Sequence, residues 1–154
     1  MRNLPVFLLA VLILHLPARA ATTAPTTAPD TTQPAAPLAV ELKVKGDTHR
    51  IGQPLNLVFR VVNKSKESQS FVAFSCSWSE HWQLSDKSVE LPPIACAKNF
   101  PKQYTLAPGE VYEREAAATI AAGTKPGEIT LKAGFTPHNS DTTLWSDEIK
   151  IKLE

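Results

Sequence analysis

Gly52-Gln53-Pro54-Leu55-Asn56-Leu57-Val58-Phe59-Arg60-Val61-Val62-Asn63, followed by Lys64-Ser65-Lys66-Glu67-Ser68, is the stretch that decides the fold. Leu55, Leu57, Phe59 and Val61 take alternate positions, with Asn56, Val58, Arg60 and Val62 between them. A strand has a side-chain period of two, so the first set shares one face. Branched and aromatic side chains suit that pleated surface. The Gly-Gln-Pro ahead and the polar run behind are turn signals.

The same alternation continues outward in both directions. Upstream, Leu38, Val40, Leu42 and Val44 alternate with Ala39, Glu41, Lys43 and Lys45 before Gly46-Asp47. Downstream, residues 70–76 place Phe71 and Ala73 on one face and Val72, Phe74 and Cys76 on the other. Residues 82–84 and 88–91 are short strand candidates, and Pro92-Pro93 stops a regular strand. Tyr104 to Leu106 leads into the turn Ala107-Pro108-Gly109, and a strand is expected over 110–120, although Ala116-Ala117-Ala118 also suits a helix. Ile129, Leu131, Ala133 and Phe135 alternate with Thr130, Lys132 and Gly134. Ile149, Ile151 and Leu153 form the last strand, with Trp145 near its start expected in the core. About seven strands with regular turns and no convincing helix predict an all-β fold, an immunoglobulin-like antiparallel β-sandwich over residues 38–154.

The N-terminal third is of another kind. Residues 1–20 combine an early Arg2, an apolar run from Leu4 to Pro17 and a small-x-small ending, Ala18-Arg19-Ala20. That is the plan of a cleavable signal peptide, and the run is short of the roughly 20 residues of a membrane span. Residues 21–37 repeat Thr-Thr-Ala-Pro at 22–25 and 26–29 and hold no large apolar side chain. They read as a disordered, extended stalk. The expected product is secreted or periplasmic, has no stable membrane span after cleavage, and is a monomer. The whole chain carries 16 Lys and Arg against 15 Asp and Glu. Loss of Arg2 and Arg19 turns the balance slightly negative, which gives no electrostatic case for nucleic acid or anionic membranes.

Two cysteines, Cys76 and Cys96, in an exported chain are expected to pair. So short a spacing predicts a local staple between strand 70–76 and the following loop, not the inter-sheet bridge of an antibody domain. Closing about 20 residues is worth roughly 3 kcal/mol.

Gly52-x-Pro-Leu-x-Leu-x-Phe-x-Val-Val-Asn63, Leu106-Ala-Pro-Gly-Glu110 and Pro126-Gly-Glu-Ile-x-Leu131 together resemble bacterial exported immunoglobulin-like domains, specifically the domain of BsuPI-like proteinase inhibitors. The resemblance spans most of residues 50–154 and implies the sandwich and an inhibitory function. It assigns no site residues, and the segment from Cys76 to Pro101 lies outside it.

Cys76-Ser-Trp-Ser-Glu-His-Trp82 is the densest cluster of unusual side chains. Trp78, His81 and Trp82, beside the Cys76–Cys96 bridge, are the expected contact residues for a protein or other extracellular ligand, because indoles are favoured at binding hot spots. The competing reading packs Trp78 and Trp82 over the disulfide as core. Other chemistries fit less well. A cupredoxin-like copper site needs a second His and an axial Met, but the only Met is Met1 and His49 and His138 lie in polar loops. Zinc on Cys76, His81 and Cys96 matches no finger spacing. A Cys–His nucleophile is opposed by the pairing of Cys76, and no Gly-x-Ser-x-Gly elbow occurs. Asp141, Asp147 and Glu148 form no calcium-loop pattern. Asn63-Lys64-Ser65 has the form of an N-glycosylation sequon in an expected exposed turn, and in a bacterium it reads as a plain turn. The sequence thus points to a non-catalytic binding module without metal or cofactor. Its alternatives are a proteinase inhibitor presenting the loop 92–101, and a metal-binding periplasmic domain.

Overall fold

The computed structural model describes residues 36–154 except Asp47 and Ala95. The expected signal peptide, its cleavage site and nearly all of the stalk lie outside the described residues.

The first strand, β1 (Leu38–Val44), begins where the alternation begins. It is followed by β2 (Thr48–His49), β3 (Pro54–Asn63), β4 (Gln69–Phe74), a 3₁₀ turn (Trp78–His81), β5 (Trp82–Leu84), β6 (Val89–Glu90) and β7 (Pro101–Leu106). The chain ends with β8 (Val111–Ile120), β9 (Gly127–Leu131), β10 (Ala133–Phe135), β11 (Leu144–Trp145) and β12 (Ile149–Leu153). The alanine triplet lies inside β8, opposite Leu55, Asn56 and Leu57 of β3. Tertiary pairing overrides its helix propensity.

One layer has the order β1-β3-β8-β6, antiparallel throughout. In the other, β9 and β10 form one strand interrupted only at Lys132. β9 pairs with β12, and β10 pairs with β11 and β5. β2 adds to β12 in parallel. β4 and β7 pair with each other. Thr136 N–H donates to the His81 carbonyl, and His138 N–H to that of Val72, which ties the 3₁₀ turn and β4 to the chain leaving β10. Neighbours β1, β3, β8 and β6 follow the A-B-E-D order of an immunoglobulin-like sandwich, while in the other layer β9/β10 lies between β12 and β11 on one side and β5 on the other, and β4 pairs with β7 alone.

The core lies between the layers. Leu55, Leu57, Phe59 and Val61 of β3 are 0–1% exposed, as the period-two reading requires. Phe59 meets Trp82 at 4.9 Å between ring centroids, and Trp82 meets Phe135 at 4.9 Å, so one indole joins the two layers. On the outer face of the first layer Arg60 stands between Glu41 and Glu113 in register. Its Nη1 donates to Glu41 at 2.6 Å and its Nε lies 3.1 Å from Glu113.

Trp145 corrects one expectation. It is 47% exposed, not core. Its cross-strand partner is Gly134, where an added Cβ would come within 3.1 Å of the indole and 2.9 Å of Thr143. The ring lies on the bare backbone of Gly134 at the outer surface, shielding a strand position that has no side chain of its own.

Candidate functional site

β4 ends at Phe74, and residues 75–77 carry the chain into the 3₁₀ turn, closed by a Glu80 N–H to Ser77 carbonyl bond of 3.0 Å. Trp78 and Trp82 sit four residues apart across that turn, and both indoles pack on Phe59. The three expected ligand contacts are therefore interior: Trp78 is 9%, His81 7% and Trp82 6% exposed. They build the end of the core beside the disulfide and offer no ring face outward. Two open depressions of about 400 and 350 Å³ flank Leu91, with Trp82 at the edge of each. The Trp82 indole N–H is itself buried and has no acceptor among the described residues.

His81 is held at both ring nitrogens. Nε2 lies 2.8 Å from the Phe74 N–H and Nδ1 3.0 Å from the Thr136 carbonyl. An N–H can only donate and a carbonyl can only accept, so the ring is the neutral tautomer with its proton on Nδ1. Burial pushes its pKa below the ordinary 6.5, and neighbouring His138 adds to that, against the Thr136 bond and Glu80. No lone pair is left for a metal or a reacting proton.

Cys76 and Cys96 form the expected disulfide, with Cα atoms 6.2 Å apart. As the spacing implied, it staples the end of β4 to the following loop. Beyond Cys96, the Asn99 carboxamide folds back on residues 76 and 77. Its Oδ1 accepts from the backbone N–H groups of Cys76 at 3.4 Å and Ser77 at 3.2 Å, and its Nδ2 donates to the Ser77 hydroxyl. The next carbonyl, of Phe100, accepts from Ser75 N–H at 3.1 Å. Pro101 then enters β7 opposite Phe74. The segment 96–100 is thus fastened at Cys96, Asn99 and Phe100 to residues 75–77. Ala97 and Lys98 are exposed between the fastenings, and the Phe100 ring is 59% exposed. The sequence points to the longer loop 92–101 as the candidate inhibitory segment and does not single out Asn99, its clip. The available signal was an Asn three residues past a half-cystine, a residue that readily bonds nearby backbone.

The sequon is closed. Asn63 is fully buried, and both hydrogens of its Nδ2 are used, on the Glu67 carbonyl at 2.7 Å and the Leu106 carbonyl at 2.9 Å. Its Oδ1 accepts from the N–H and hydroxyl of Ser65. The turn 64–68 is largely exposed, as expected, and is organised around this interior amide.

Among the described residues, no group of three or more His, Cys, Asp or Glu side chains is gathered closely enough to hold a metal ion. No helix of the described residues is long and apolar enough to cross a membrane.

No protein-family model matches the chain, and no curated protein matches it. Among solved structures it is similar to the sporulation control protein Spo0M of Bacillus subtilis, at 16% identity, over 77% of this chain and 50% of that one, with a TM-score of 0.48. It is also similar to Escherichia coli alpha-2-macroglobulin, at 16% identity, over 78% of this chain and 7% of that one, with a TM-score of 0.47. The chain spans half the length of the first and a small part of the second.

Proposed function

We propose that this chain is an exported, non-catalytic binding module that engages a protein partner through the segment 96–100, and not through Trp78, His81 and Trp82. The observation that carries the reading is the fastening of that segment. An exposed loop normally loses conformational freedom on binding, at about 0.5–1.5 kcal/mol for each immobilised flexible side chain. Here the disulfide and the Asn99 clip have ordered the backbone beforehand, and the exposed Phe100 ring supplies the aromatic surface common at binding hot spots. Inhibition of a proteinase is the more specific form of this reading and draws on the same constrained loop. Metal binding has less support, since Cys76 is oxidised and both nitrogens of His81 are engaged.

Placing a photo-crosslinking residue at position 98, and in a second protein at exposed Lys150 on β12, tests the reading in the native host. A partner adduct from position 98 and none from position 150 is the expected result. Equal adducts from both positions, or none from 98, would remove the loop as the contact surface. Export is checked separately by the N-terminus of the purified protein, expected at Ala21.

A further inference from the structure

We infer that the rim next to segment 96–100, where Lys102 and Tyr104 of β7 meet Tyr112 and Arg114 of β8, binds a carboxylate-rich segment of a protein partner. The inference deepens the binding reading above, rests on it, and names the chemistry of the partner.

Residues 102, 104 and 106 share one face of β7, and residues 112, 114, 116, 118 and 120 share one face of β8. Burial of Leu106, Tyr112, Ala118 and Ile120 marks both sets as core-facing. Lys102 and Arg114 therefore stand where the period of two calls for apolar side chains. Such breaks in pattern are expected at functional places. The sandwich is open on this side. β7 pairs with β4 alone, and β6 covers β8 only at Thr119 and Ile120. Lys102 is exposed and Arg114 half-buried, so both cations reach the rim.

Two tyrosines hold these cations in place. The rings of Tyr104 and Tyr112 lie 4.7 Å apart between centroids, and both pack on Phe71. Lys102 Nζ lies 5.2 Å from the Tyr104 centroid and Arg114 Cζ 4.3 Å from that of Tyr112. At such distances a ring face attracts a cation. Neither cation has a carboxylate partner among the described residues. The neighbouring acids of β8 are engaged on its outer face, Glu113 with Arg60 and Glu115 with Lys45. From Leu91 to Gly109 the chain contains Lys98 and Lys102 and no Asp or Glu.

The rim is thus a set of donors without an acceptor. Arg114 uses one N–H on the Glu113 carbonyl, at 2.9 Å, and keeps the rest of its fork. The Tyr112 hydroxyl is buried without a partner among the described residues. Burial pushes its pKa up to about 12, so it stays protonated. A carboxylate supplies the missing acceptors, and a guanidinium takes one through two parallel bonds. Two rim cations, with Lys98 in the adjoining segment, fall short of the roughly four to eight basic residues that mark a lipid-headgroup surface. A protein segment needs fewer, and segment 96–100 runs directly into β7.

The test reads fluorescence anisotropy of a labelled decapeptide in which Glu alternates with Ser, against a second decapeptide with Gln in place of Glu. The proteins are wild type, Arg114→Gln, Lys102→Gln and, as control, Lys150→Gln, each checked for folding by its melting temperature. Wild type is expected to bind the Glu peptide and not the Gln peptide. Arg114→Gln and Lys102→Gln should each weaken binding about tenfold or more, the scale of a hydrogen bond to a charged group, and Lys150→Gln should leave it unchanged. If Arg114→Gln fails to fold, the exposed Lys102→Gln decides. The proposal is overturned if wild type does not bind the Glu peptide, if the Gln peptide binds as well, or if both rim variants bind like wild type. Binding to phosphatidylglycerol vesicles without binding to the Glu peptide would overturn it in favour of a lipid surface. Rim variants that keep peptide binding but self-associate in ultracentrifugation would show that the cations only guard the strand edges. A native partner crosslinked from position 98 equally in wild type and Arg114→Gln keeps the loop reading and overturns the carboxylate contact. No capture from position 98 overturns the loop reading, and the peptide result then decides the rim by itself.

Discussion

Residues 78–82 and residues 96–100 lie on either side of one disulfide and differ in almost every respect. The first group holds two tryptophans and a histidine, the side chains with most to offer a ligand, and all three are buried. The second is chemically plain apart from Lys98 and Phe100, and it faces outward. The difference teaches that rich chemistry in a short exported domain can serve as foundation. The indoles bridge the layers through Phe59 and Phe135, the imidazole bonds backbone on two neighbouring segments, and the loop stands on the result.

Substitutions should separate foundation from surface, and the largest effect is expected at Trp82. Trp82→Ala removes the ring between Phe59 and Phe135 and should cost about 3–5 kcal/mol in a urea titration. An effect below about 1 kcal/mol, the range of a surface change, would return Trp82 to the candidate contact residues. Next is the staple. Cys76→Ser with Cys96→Ser should cost roughly 3 kcal/mol and render the chain cleavable after Lys98, as followed by limited proteolysis.

A smaller effect is expected at His81, and it is read as pH dependence. Its folded pKa lies below the ordinary 6.5, so the unfolded chain takes up the proton first as pH falls. The stability from the neutral ring is full above about pH 6.5 and declines as pH drops through the folded pKa. Glutamine retains one donor and one acceptor but does not titrate. His81→Gln should therefore flatten the slope of melting temperature below about pH 6.5. A slope unchanged from wild type would assign the dependence to groups other than His81. The smallest effect is expected at Lys98. Lys98→Ala should move stability by no more than about 0.5 kcal/mol, which makes it a clean probe of binding.

Much of the fold was legible because a half-buried strand writes its burial as a period of two. β1, β3 and the β9/β10 strand carry that pattern, although Val58, Val62 and Gly134 are buried on the opposite face as well, and the close cysteine spacing was enough to predict a local staple. The candidate site was less legible. Burial of Trp78 and Trp82 depends on which strand passes opposite the 3₁₀ turn, and no local pattern encodes the approach of Phe59 and Phe135. Trp145 was misplaced because its exposure follows from the bareness of Gly134, a partner on another strand. The turn after Asn63 was legible but the burial of Asn63 was not, because a sequon and a buried turn-forming amide have the same spelling; only the carbonyls of Glu67 and Leu106 tell them apart.

For anyone producing this protein, the closed amide of Asn63 bears on the choice of host. A eukaryotic secretory pathway adds glycans while the chain is still entering the lumen, before β3 and the Leu106 turn have met, and at that moment Asn63-Lys64-Ser65 is an open acceptor. A sugar on Nδ2 would take the position of a hydrogen that the folded domain needs, leaving a chain that is secreted poorly or retained by quality control. Ser65→Ala would abolish the acceptor at the loss of the Ser65 hydroxyl bonds to Asn63 and Glu67, a local sacrifice at a half-buried position. A bacterial periplasm lacking such transfer combines disulfide formation with an unmodified Asn63.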